Sequence, residues 1–443
     1  MVSNTVTGNN NVAVGHDALK SVADAYGNIG IGFQAGSGTV HHDLNIAIGY
    51  QAARVIQGAN KVIAIGYRAA ETAMYSNTGG NQIFIGSETA QYVGYANKST
   101  GDNNVFIGTH AGRHITYASQ NTVVGHMAYG RLGGSGQLEV SASNVTAFGY
   151  AAGQYTTGSY NTFVGSQAGL GGTTSAPFSS GVDNTAVGYQ ALTAFTTGQR
   201  NTAIGKGSLD SLTTGDQNTA LGRSSLPALT TGDNNVGLGM DAGLLTTEGN
   251  HNIYIGTEAG AYNTTGDELI LIGYRAGYAI NHASDADGTV AIGYEAGKSI
   301  TSGIGNVAIG YKALDAEDDG DFNTAIGYQA LSAQTGVSGE VGNTAVGYQA
   351  GLTLTAGTQN TLMGYQAGKA LLGGGTNTII GSEAGKALNN GGSNTIVGRH
   401  SAYSLTTGDD NVAIGVFALY TGTTVSDNVA IGRAALQYIR GDD

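Results

Sequence analysis

Histidines, carboxylates and phenols are the groups in this 443-residue chain with chemistry to offer, and their spacing decides which kind. Nine histidines stand at 16, 41, 42, 110, 114, 126, 251, 282 and 400. They are scattered, and no serine–histidine–aspartate set can be assembled from their positions. Cysteine is absent, so neither a disulfide framework nor a thiolate zinc site is available. Carboxylates cluster at Asp315, Glu317, Asp318, Asp319 and Asp321, and again at Asp285 and Asp287. Hard oxygen ligands on a glycine-containing turn suit calcium. The EF-hand spacing and the Gly-Gly-x-Gly-x-Asp nonapeptide are both missing, however, so these read as solvated acidic turns. Arg440-Gly441-Asp442 reads as a chance tripeptide. No catalytic residue, metal ligand or cofactor is expected.

The phenols are ordered. Tyr50, Tyr67, Tyr150, Tyr189, Tyr274, Tyr294, Tyr311, Tyr328, Tyr348 and Tyr365 all follow a recurrent glycine. Rings stacked on an outer corner would give a large rigid surface suited to sugar faces. They would equally serve by stacking on each other or by lining a seam between chains. His16 and His126 occupy the same position and read as substitutes in that column.

A repeat must position them. The recurrent glycine falls 24 times between Gly15 and Gly432, most often 17 residues apart. Counting it as position 0, position −1 is apolar in every copy, and position +3 is Ala, Ser or Thr. Position −4 is Asn in 19 of 24 copies, the exceptions being Val62, Gln82, Val145, Leu269 and Thr289. Asn-Thr-Ala-Ile-Gly alternates with period two, as a half-buried strand does. A second apolar position follows, as in Phe195, Leu212, Leu229, Leu354 and Leu405, and Thr-Thr-Gly-Asp closes the turn. A period near 20 that fills a chain signals a repeat architecture. The fold expected is all-β: a parallel β-solenoid, or β-roll, of about 24 coils, with two short strands per coil and one continuous domain over 1–443. The residue before each glycine is expected to face inward, and so are Thr344, Thr361, Thr378 and Thr395, which share its parity. On that ground an ice-facing threonine array is set aside. The Asn column is expected to stack as a hydrogen-bonded ladder. Insertions at 76–81, 95–102, 131–143, 171–183, 283–288 and 334–342 map to loops on one side.

Composition narrows the function. Glycine reaches 75 residues without a G-X-Y period, and only two prolines occur, so neither collagen nor a disordered linker fits. Charged residues are 11% and the net charge is −13, with no Lys/Arg cluster. That disfavours nucleic acid and anionic membrane as partners. The chain as written opens on a polar segment without the basic and apolar regions of a secretory signal, and nothing is long and apolar enough to span a membrane as a helix.

The motif Asn306-Val307-Ala308-Ile309-Gly310-Tyr311-Lys312-Ala313 resembles the head repeat of YadA-like trimeric autotransporter adhesins, similar arrays of which occur in bacteriophage tail fibres. The resemblance covers nearly the whole chain. It implies a left-handed parallel β-roll, a homotrimer and contact with a host cell-surface glycan or protein. The family coil is shorter than 17 residues, and the family's stalk and anchor have no counterpart here. Those departures favour a non-enzymatic tail or receptor-binding fibre in the virion, with the head of a bacterial surface adhesin as the alternative. The run Ile-Gly-x-x-Ala-x also matches the hexapeptide of left-handed β-helix acyltransferases. That fold needs the hexapeptide three times per coil, and here it occurs once.

Overall fold

A computed structural model describes residues 8–38, 41–57, 59–75, 80–91, 101–115, 118–130, 142–172, 178–281, 286–335 and 338–440. The six insertions lie wholly or partly outside these residues, as do His282, Asp285, Gly441, Asp442 and Asp443. Among the described residues there is no helix, hence none long and apolar enough to cross a membrane. The chain divides into two compact units, 1–224 and 225–443. Each is a parallel β-solenoid carrying twelve copies of one short strand.

That strand is the segment before the recurrent glycine, for example Thr185–Val187, Thr202–Ile204 and Thr219–Leu221 in the first unit. Successive copies pair in parallel and in register, Thr185 opposite Thr202 and Val187 opposite Ile204. In the second unit Val307–Ile309 pairs with Thr324–Ile326 in the same way. The glycine then turns the chain. Gly188 sits at φ +135°, and a Cβ there would lie 2.6 Å from the carbonyl oxygen of Gly205 in the next coil. Only glycine combines that backbone with so close an approach.

The second strand expected in each coil is replaced by turns. Among the described residues, short pairs form only between Val55–Gln57 and Thr72–Tyr75 and between Gly320–Asp321 and Gly339–Glu340, with one bridge from Thr156 to Ser179. Elsewhere the return path alternates ordinary with left-handed residues, such as Gln190 at φ 55° and Arg200 at φ 57°. Left-handed residues interrupt the extended backbone that a strand requires. Coil-to-coil bonding persists across the return path all the same: Leu192 N donates to Ser208 O at 3.0 Å and Thr196 N to Thr213 O at 2.8 Å.

The strand parity is the reverse of the expectation. Position −2 is buried, and positions −3 and −1 are the outward ones. Ala308 is fully buried while Val307 and Ile309 are only half-buried; Ala325 is buried while Ile326 is exposed. Thr344, Thr361, Thr378 and Thr395 accordingly face outward, half-buried. The reason for setting aside a threonine array therefore falls, although that column runs beside an aliphatic one. The physical cause is the Asn column. Asn at −4 turns inward to bond the next coil, and alternation then carries −2 inward and −3 and −1 outward.

The asparagine ladder itself forms as expected, amide to amide as well as amide to backbone: Asn201 Nδ2 donates to Asn184 Oδ1 at 3.2 Å. Asn201 N donates to Asn184 Oδ1 at 3.0 Å, and Asn201 Nδ2 donates to Gly215 O at 2.8 Å. Asn218 N then donates to Asn201 Oδ1 at 2.9 Å. Each amide thus satisfies buried backbone groups of the following coil, which water cannot reach. At Leu269 the ladder is kept on one side only: Leu269 N still donates to Asn252 Oδ1 at 2.9 Å, while its own side chain brings no amide to the coil that follows.

The core lies between the strand and its return path. It is built from position −2, the Ala of +3, the residue at +4 and the Leu or Phe at +7. Where −2 is Ala, +4 is often Leu, as in Ala186 with Leu192 and Ala203 with Leu209, all fully buried. Where −2 is large, +4 is often Gly, as in Phe163 with Gly169, Tyr254 with Gly260 and Leu271 with Gly277. The section holds a fixed volume, and the two positions share it.

Candidate functional site

Three outward columns, −3, −1 and +1, make one face of each coil. Column −1 is an unbroken series of large apolar side chains, with Ile31, Phe148, Val164 and Leu221 exposed in the first unit and Ile326, Met363 and Ile414 in the second. Column −3 alternates in blocks: Ile or Val up to Val105, Thr from Thr122 to Thr219, Val or Ile from Val236 to Val307, and Thr again from Thr324 to Thr395. Neither column carries a charge in any copy.

Column +1 holds the ten tyrosines. Six of them, Tyr274, Tyr294, Tyr311, Tyr328, Tyr348 and Tyr365, form a continuous stack in the second unit. Successive centroids are 5.3, 5.2, 4.9, 5.3 and 5.3 Å apart, with interplanar angles of 21°, 10°, 8°, 15° and 10°. In the first unit His16, Phe33, Tyr50 and Tyr67 stack at 5.5, 5.1 and 5.4 Å. Tyr150 meets His126 at 5.6 Å, tilted by 36°. Tyr189 has the ammonium of Lys206 5.9 Å from its centroid. His16 and His126 therefore stand in the column, as their spacing implied.

Each ring inside a stack has both faces against neighbouring rings, so flat docking of a sugar on a ring face is blocked there. What remains open is the outer edge and the hydroxyl. A glutamine ladder runs alongside at +2: Gln349 Nε2 donates to Gln329 Oε1 at 3.1 Å, and Gln366 Nε2 to Gln349 Oε1 at 3.0 Å. At the start of the stack Arg275 lies 5.0 Å from the Tyr274 centroid and 2.6 Å from Glu258 Oε2. The hydrogen bond to Glu258 raises the guanidinium pKa further.

The acidic turn is organised around its own backbone. Glu317 takes the +7 core position held by Leu212, Leu229 and Leu354 in other coils, and it is fully buried. Its Oε1 accepts from Asp318 N at 3.1 Å and Gly320 N at 2.8 Å. Burial pushes its carboxyl pKa up. One oxygen each from Glu317, Asp318 and Asp319 come within 4.8 Å of one another. Asp315 instead faces Lys312 at 3.9 Å, and Asp321 Oδ1 accepts from Ile304 N at 2.8 Å. Asp287 Oδ1 accepts from Asp267 N at 2.7 Å. The five carboxylates grouped by sequence therefore do not converge on one point.

The histidines are likewise dispersed among pairs. His110 Nε2 lies 3.0 Å from Glu88 Oε2, His400 Nε2 lies 2.9 Å from Glu383 Oε2, and His41 contacts Asp24. A shallow open groove of about 370 Å³ lies against Lys20, Gln34 and Arg54. Its cations are already engaged, Lys20 with Asp17 at 3.3 Å and Arg54 with Glu71 at 3.3 Å.

Sequence reasoning found the tyrosine column but missed the aliphatic face beside it, which it had turned inward. One signal was available: −1 stays large and apolar whatever −2 and +4 do, whereas −2 and +4 trade size, as interior positions must. No protein-family model matches the chain, and no curated protein matches it.

Proposed function

We propose that the chain is a non-enzymatic structural and adhesive fibre, a bacteriophage tail or receptor-binding fibre. It works as a homotrimer in the virion and contacts a glycan or protein of the host cell surface. The observation that carries the reading is the pair of uncharged outward columns, −3 and −1, with a large apolar side chain at −1 in every coil. Contiguous apolar surface on this scale is a mark of an interaction site rather than of scattered exposure. A partner must match it coil for coil, at about 4.8 Å per step, to keep its side chains in phase. Another copy of this chain has that rise by construction, which favours self-association over an unrelated occupant. The charged pairs Glu258–Arg275, Glu295–Lys298 and Glu383–Lys386 lie off this face, at +2 and +5. They are free to stay in water while the face is covered.

The mass of the assembled particle tests this. A value three times 44.6 kDa is expected, reduced to a single chain by placing Glu at Ile292 and Ile309 together, with the β-rich circular dichroism retained. A wild-type chain that stays monomeric at micromolar concentration overturns the proposal.

A further inference from the structure

The stack from Tyr274 to Tyr365 has a chemical property beyond its shape, one that arises within a single chain. Six phenols stand in consecutive coils with centroids 4.9 to 5.3 Å apart and planes within 21° of parallel. Their outer edges reach solvent, with exposures between 37 and 50%. Neighbouring rings present the same edge in the same direction, because each comes from the same position of successive coils. The backbones beneath are locked by the in-register strands. Two ring carbons ortho to adjacent hydroxyls therefore meet through a small slip or tilt of exposed side chains, with no backbone movement.

We propose that this ladder is an oxidative modification site, at which a one-electron oxidant of the peroxidase or photo-oxidant class joins neighbouring coils through dityrosine. Two oxidant equivalents are consumed. Each of two adjacent phenols gives up one electron to the oxidant and its hydroxyl proton to water. The two phenoxyl radicals pair their unpaired electrons in a new carbon–carbon bond between ortho positions. The hydrogens those carbons carried shift to the two oxygens, which restores both aromatic rings. The net change is the loss of two hydrogen atoms from a pair of tyrosines. Stacking contributes twice: contact between rings lets a radical formed on one tyrosine pass to the next, and it holds the coupling partner in place before the radical decays.

Exposure and stacking make opposite predictions, which is what makes the site testable. Tyr160 and Tyr438 are 61 and 77% exposed, more than any ladder ring, and stand outside the column. The full chain is illuminated with a ruthenium tris-bipyridyl complex and persulfate at a dose that partly consumes Tyr438, then digested after acidic residues. Cleavage at Asp315, Asp321 and Glu340 places Tyr311, Tyr328 and Tyr348 on separate peptides, while Tyr348 and Tyr365 share one.

The expected products are peptides joined through Tyr311–Tyr328 and Tyr328–Tyr348, and a Tyr348–Tyr365 peptide lighter by two hydrogens. Tyr328→Phe keeps a ring in the stack but removes the oxidisable phenol. It should abolish both links to position 328 and leave the Tyr348–Tyr365 product. Cross-links that follow exposure, with Tyr160 and Tyr438 dominating, would overturn the proposal. So would covalent dimers of chains without links between adjacent coils, or a Tyr348–Tyr365 product that disappears together with Tyr328.

Discussion

The shared volume of positions −2 and +4 can be tested at Phe163 and Gly169. Gly169 has φ +55°, a region that usually selects for glycine, yet Leu192 and Leu209 occupy the same position of the next two coils at φ 53° and 48°. The backbone therefore does not demand glycine. The Phe163 ring does: a Cβ at 169 would fall within van der Waals contact of Phe163 Cδ1 and Cε1. Gly169→Leu alone should cost at least about 1–3 kcal/mol through overpacking. Phe163→Ala alone should cost about 3–5 kcal/mol, because the ring is fully buried and packs 5.8 Å from Phe195. The double variant recreates the Ala186–Leu192 arrangement between two alanines. It should lose only about 1–2 kcal/mol, since the volume is nearly conserved. The coupling energy would then be about 3–6 kcal/mol in the favourable sense, well above what independent sites show. Denaturant unfolding of the four proteins, followed by circular dichroism, measures it. Additive losses would refute the shared-volume account and return the glycine to a purely conformational role.

Two further outcomes follow from the parity of the strand and from the polar intrusion in the core. Ala308→Asp should destabilise by about 3–5 kcal/mol, because it leaves an uncompensated charge in a dry core, while Ile309→Asp on the outward side should cost about 1 kcal/mol in the dissociated chain; equal losses in thermal melts would contradict the assignment of faces. Glu317 has a folded-state pKa raised by burial above its ordinary value of 4.5. Its carboxyl therefore favours the fold when protonated, below that ordinary value, and the contribution is lost as pH rises through the raised pKa. Glu317→Gln should stabilise the fold at neutral pH and flatten the slope of stability above pH 4.5, and an unchanged slope would place the carboxylate in contact with water.

The coil length, the turning glycine and the asparagine ladder were legible because each recurs at a fixed spacing and does a local job. The orientation of the strand was not. Ile and Val next to the glycine read as interior by their side-chain type, but the rule that apolar residues are inside runs one way only. Asn184 and Asn201 had already settled the matter, since their amides must reach buried carbonyls and so drag Ala186 and Ala203 in with them. The missing second strand escaped because Gln190 and Arg200, ordinary residues in a sequence, take left-handed conformations there. Propensity gives no warning of that, although the glycines around them hint at a path of turns.

Interior and exterior obey different rules in this fold, and that explains where function is written. A core change can be compensated inside one coil, as Phe163 is by Gly169, so stability is settled coil by coil. An outward side chain has as its nearest neighbours the same position one coil above and one below. Its contacts are therefore made along the column: Tyr311 with Tyr294 and Tyr328, Gln349 with Gln329 and Gln366. A surface property in such a chain extends as far as its column keeps one residue type, and it stops where the type changes. The tyrosine ladder ends after Tyr365, where Ser382 and Arg399 follow, and the isolated Tyr189 gives way to Lys206 and Arg223. Column breaks of this kind, rather than loops or clefts, set the limits of the surfaces on which this chain can act.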